Sequence, residues 1–160
     1  MMQQYIFNFL FFLAIVFIQI HFGMSILPFV FLNLVLIFLI FTFFNLSPYY
    51  LSFLIFLTAV AFDSFSGFIW GTHLIILVIS FLLGCILIRF FEKSYFFSRL
   101  IMGSLIIISY FSGLLIVNSV FQKITFNSLI IKQSVLTLIG YIILNIIIER
   151  FSKIKNVLIK

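Results

Sequence analysis

Apolar residues in this chain come in long blocks separated by short polar breaks, and the blocks span residues 5–20, 26–44, 48–66, 73–89, 100–121 and 128–148. Within each block the apolar positions cover every face of a helix rather than one stripe, the pattern of a segment with no water on any side. At 1.5 Å per residue each block approaches the ~30 Å of a bilayer's hydrocarbon layer. Local signals set the ends. Pro28 falls in the first turn of the second block, where its missing N–H costs little. Ser47 is placed to cap a third helix that opens on Pro48 and stops at Gly67. Gly71 breaks the chain, Thr72 is the expected N-cap of the fourth helix, and only a short turn separates two antiparallel helices. Arg89, Glu92, Lys93 and Arg99 make a charged loop, and residues 149–160 read as a basic tail. The first block is expected to be a helix and not a signal peptide, because no Lys or Arg precedes it and Gln19-Ile20-His21-Phe22-Gly23 is a poor cleavage site.

Composition turns six helices into a class. A chain of 160 residues that is 66% hydrophobic and 8% charged cannot bury that much apolar surface in one small water-soluble core. The expectation is a single-domain, all-α integral membrane bundle of six transmembrane helices. The net charge of +6 would suit nucleic acid in a soluble protein, but these basic residues lie between the apolar blocks and are better explained by topology. Arg89, Lys93, Arg99, Arg150, Lys153, Lys155 and Lys160 fall on one side, against Lys123 and Lys132 on the other. The richer side is expected to be cytoplasmic, which places both termini there and the Asp63–His73 turn outside. Lys132, about one turn inside its helix, is expected to snorkel to the interface. The single cysteine, Cys85, excludes an intramolecular disulfide and reads as packing.

Polar chemistry concentrates at Asp63-Ser64-Phe65-Ser66-Gly67-Phe68-Ile69-Trp70-Gly71-Thr72-His73. Asp63 is the only aspartate, and a carboxylate at a helix C-terminus is opposed by the helix dipole, so something must offset it. A bond to His73 or to the N–H groups opening the fourth helix would do so. A proton or cation site is the sharper alternative, but a lone acid makes neither an acid/base pair nor a good metal site. Catalysis by Asp63 and His73 would need Ser64, Ser66 or Thr72 as nucleophile, with no elbow motif to present it. No catalytic residue, cofactor or metal is therefore expected. Trp70 reads as an interfacial anchor, and Gln19 and His21 as interface residues. Ser80 and Gly84, and Ser109 and Gly113, form small-residue stripes that let helices approach closely, within the chain or with a partner helix. Asn33, Asn118 and Asn145 are expected to hydrogen-bond between helices.

The run from Asp63 to Gly71, with Asp63, Ser66, Gly67 and Gly71 at the motif positions, resembles the Asp-x-x-Ser-Gly-x-x-x-Gly hairpin of the rod shape-determining protein MreD family. The six blocks, Pro28 and the basic tail are similar too. Ala59 departs from the pattern where that family often has glycine, and no acid or amide directly follows Pro28. The resemblance implies a fold like the substrate-binding subunits of energy-coupling-factor transporters. It also implies a non-enzymatic component of the bacterial inner membrane that binds MreC. Such a component would help link the MreB cytoskeleton to peptidoglycan synthesis by RodA and a class B penicillin-binding protein. The alternative is a substrate-binding subunit of an energy-coupling-factor type vitamin or metal transporter, with Asp63, Trp70 and His73 near an outward pocket. A membrane enzyme ranks last.

Overall fold

The computed structural model of the chain describes residues 2–23, 32–66, 70–92, 95–121 and 127–158. Among the described residues the regular elements are all helices: α1 (Met2–Gly23), α2 (Leu34–Asn45), α3 (Pro48–Ser66), α4 (Thr72–Leu87), α5 (Phe96–Phe121) and α6 (Asn127–Leu158). α5 and α6 hold stretches, Phe96–Val120 and Ser128–Phe151, that are long and apolar enough to cross a membrane. The other four are shorter apolar helices.

The two largest departures from the expected boundaries have identifiable reasons. α2 does not run from residue 26: Leu32 and Asn33 are not helical, and Asn33 caps the helix by accepting a hydrogen bond from Leu36 N–H at 2.9 Å. An asparagine inside an apolar run competes with the helix for backbone partners and so starts one more readily than it continues one. Pro28 lies outside the described residues. At the other end of the chain, α6 does not stop at residue 148 but continues through Glu149 and Arg150 to Leu158. No glycine or proline interrupts this stretch, and a change from apolar to charged residues does not itself end a helix. The basic tail is thus, as far as Leu158, a continuation of α6.

α2 is the axis of the bundle. Val35, Leu36, Ile37, Leu39, Ile40, Thr42 and Phe43 are all buried. Rings connect it outward: Phe38 to Phe11 and Phe12 of α1, Phe43 to Phe81 of α4, and Phe41 to Tyr141 of α6. α1 leans on α3 through Tyr5 and Tyr50, whose hydroxyl donates to the Tyr5 carbonyl at 3.2 Å. Buried hydroxyls inside the helices, Thr42 and Thr58, bond the carbonyls of Phe38 and Leu54 one turn back, so no polar group is stranded there. The exterior is apolar as well, with Phe7, Phe17, Ile75, Leu82, Ile108 and Ile143 among its exposed side chains.

Successive helices run in opposite directions. The ends of α1, α3 and α5 therefore gather with the starts of α2, α4 and α6 at one pole, the Asp63 pole. The opposite pole carries Arg99, which pairs with Glu149 at 3.3 Å. There the Arg99 carbonyl also accepts the Tyr141 hydroxyl at 2.7 Å. A Cβ on Gly103 would overlap the Tyr141 phenol, so the bare glycine is what lets α5 and α6 close on that ring.

Candidate functional site

At the Asp63 pole the chain turns from α3 into α4. Gly71, the residue before α4, has φ +91°, a conformation that costs glycine nothing and other residues a Cβ clash. It has no side chain with which to cap the helix it opens. Asp63, in the last turn of α3, supplies that cap from across the turn: Oδ2 accepts from Gly71 N–H at 2.7 Å and Oδ1 from His73 N–H at 3.0 Å. The expected N-cap, Thr72, is instead the first residue of α4. The carboxylate thus sits between the unfavourable C-terminal end of one helix and the favourable N-terminal end of the next, and its bonds are to the second.

His73 completes the arrangement. Its Nδ1 lies 2.7 Å from Asp63 Oδ1, and both side chains are buried, at 4% exposure each. With the carboxylate ionised, Nδ1 is the donor of this bond. The imidazole is set edge-on to Phe62 and lies near the buried Tyr110. Trp70 is exposed in the turn. Ser66 closes α3, its side chain is outside the described residues, and so is Gly67.

The start of α2 lies at the same pole and is held by different groups. Asn33 N–H donates to Thr137 Oγ1 of α6 at 3.0 Å, and Leu34 N–H to Gln19 Oε1 of α1 at 2.9 Å. Tyr110 of α5, buried beside the His73 ring, adds a phenol from a further helix. Six helices therefore bring buried or half-buried polar groups to one pole of an otherwise apolar bundle.

Chemically, the Asp63–His73 pair has the geometry of a carboxylate orienting an imidazole. Ser64 is not brought to it as a nucleophile: it is exposed and its hydroxyl donates back to the Val60 carbonyl at 2.7 Å. Among the described residues no group of three or more His, Cys, Asp or Glu could hold a metal ion. The arrangement as it stands fastens helices.

The two small-residue stripes face each other. Ser80 Oγ lies 3.4 Å from Ser109 Oγ, a methyl on Gly84 would come within 2.9 Å of Ile106 Cδ1, and one on Gly113 within 2.8 Å of Ile76 Cγ2. Side chains of α4 and α5 fill the space each glycine leaves. Asn145, expected to bond between helices, donates to the Tyr141 carbonyl of its own helix at 3.1 Å, since a side chain four residues on reaches that oxygen first. Asn118 is fully buried. Cys85 is exposed on α4 rather than packed. His21 stacks on Phe17.

Sequence reasoning missed Gln19 as a helix cap, and missed Thr137, Tyr110 and the Gly103–Tyr141 contact altogether. The available signal was the rarity of polar atoms in the middle of apolar helices, where each must find a partner. The chain matches no family model, no curated protein and no solved structure.

Proposed function

We propose that the protein is a six-span integral membrane scaffold of the bacterial cell-elongation machinery that works by lateral association with an MreC-like protein. Support for membrane insertion is an exterior of exposed Phe, Ile, Leu and Val on α1, α3, α4, α5 and α6, far beyond the apolar patches a soluble monomer tolerates. α1, α3 and α4, at 22, 19 and 16 residues, are about 24–33 Å long, enough to cross with modest local adjustment of the bilayer. In this reading the Arg99 pole and both termini are cytoplasmic, and the Asp63 pole faces outward.

The observation that carries the functional reading is the Asp63–Gly71 hairpin. The motif positions that resemble the MreD family include an acid and a glycine that meet here, Asp63 receiving the Gly71 N–H. Hydrogen bonds that fasten one helix to the start of the next are the chemistry a scaffold uses. The test is co-purification with the MreC of the same cell in mild detergent, together with depletion. Capture of MreC and rounding of rods are expected. Unchanged rods with no MreC recovered would sink the proposal.

A second reading, the substrate-binding subunit of an energy-coupling-factor transporter, is favoured by one observation: the buried polar groups converge on the outward pole. Tight binding of a vitamin or metal by the purified protein would establish it, and Asp63→Asn would then weaken that binding.

A further inference from the structure

We propose that the exposed face of α6 around Lys132 holds an anionic phospholipid, its phosphate on the Lys132 ammonium and an acyl chain along the groove beside it. Ile131, Lys132, Val135 and Leu136 line a groove of about 330 Å³ on the outside of the bundle. Lys132 is exposed and lies in the stretch of α6 that is apolar enough to cross a membrane. Its counter-charge does not come from the chain, which holds only three acids. Asp63 is bound to Gly71 and His73. Glu149 pairs with Arg99 at the opposite pole, ~25 Å further along α6. Glu92 follows the C-terminal end of α4, also at that opposite pole.

Depth selects the occupant. Lys132 is about 8 Å past the first residue of α6, so its four-carbon stem brings the ammonium to headgroup level. The anion available there is a lipid phosphate. Val135 and Leu136 sit one turn deeper, where the same molecule's acyl chain lies, whereas a free phosphate would leave that groove empty. The inference rests on the membrane reading above but not on the scaffold role.

The experiment uses the full chain, extracted, stripped of lipid and titrated with phosphatidylglycerol or phosphatidylcholine, with retained lipids counted by native mass spectrometry. Phosphatidylglycerol is expected to be retained about fivefold better through this site, the scale of one basic residue at an anionic surface. Lys132→Gln should remove that preference, while replacing Arg150, Lys153 and Lys155 together with Gln should leave it in place. Val135→Trp fills the groove and should lower retention of both lipids, and circular dichroism checks that each variant keeps its helix content. Unchanged selectivity in Lys132→Gln, unchanged retention in Val135→Trp, or displacement of the lipid by glycerol phosphate overturns the proposal. Release of the protein from membranes by carbonate wash overturns the membrane reading itself, before any lipid is added.

Discussion

Of the helices that begin at the Asp63 pole, α4 and α2 begin differently. α4 starts on a charge: one carboxylate, from the helix just before it in the chain, accepts Gly71 N–H, His73 N–H and the His73 ring. α2 starts on neutral groups: its own Asn33, with Gln19 from α1 and Thr137 from α6, the last 104 residues away. Both solve the problem that the first N–H groups of a buried helix have no partner within it. The charged solution is local and concentrates the cost of failure in one residue. The neutral one is distributed, so each contributor matters less but three helices are tied to one point.

The sharpest way to break this contrast is Asp63→Ala. It strands two backbone N–H groups and a buried imidazole at once, and should cost about 3 kcal/mol, the lower end for removing one partner of a buried pair. Detergent-solubilised protein titrated with dodecyl sulfate provides the measurement. Asp63→Asn keeps an acceptor oxygen and should recover about half of the loss, the charge-assisted share being roughly as large as the neutral one. His73→Ala leaves both backbone bonds to Asp63 in place and should cost less than Asp63→Ala. An Asp63→Ala variant no weaker than one altered at Thr137 would mean that the charge does not hold the start of α4.

Next in size is the backbone of the turn. Nothing lies within 4 Å of a Cβ built on Gly71, so Gly71→Ala measures the cost of its positive φ without a packing contribution. The loss should be about 1–2 kcal/mol. Gly71→Asn should be milder, because asparagine visits left-handed conformations more readily. Equal losses for the two would show that the side chain meets something, rather than that the backbone is strained.

The contrast also explains what could be read from the sequence. The α3–α4 hairpin was legible because its parts lie within eleven residues: an acid, a glycine and a histidine at spacings that a turn brings together. Helix existence was legible from the apolar blocks, and the facing Ser80–Gly84 and Ser109–Gly113 stripes could be proposed from their spacing. The α2 start was not legible. Asn33 sits in a run of leucine, valine and isoleucine that looks helical throughout, and what makes it a cap is a hydroxyl on α6 and an amide on α1. Neither adjacency follows from spacing along the chain. Gly103 and Tyr141 were illegible for the same reason, since a glycine signals close approach without naming what approaches.

The smallest effects test the distributed start. Thr137→Val keeps the side-chain volume and removes the acceptor of Asn33 N–H, and should cost about 1 kcal/mol, within the range measured for single interhelical hydrogen bonds in membranes. Gln19→Leu removes the acceptor of Leu34 N–H at a part-buried site where water can substitute, and should cost less, ~0.5 kcal/mol. The informative quantity is the double variant. If the two groups hold the same first turn of α2, losing one lets the turn shift toward the other, and losing both removes the anchorage altogether. The combined loss should then exceed the sum of the single losses by at least ~0.5 kcal/mol, the threshold for coupled neighbours. Strict additivity would mean that Gln19 and Thr137 act on Leu34 and Asn33 independently, and that the polar groups at this pole hold the three helices one pair at a time.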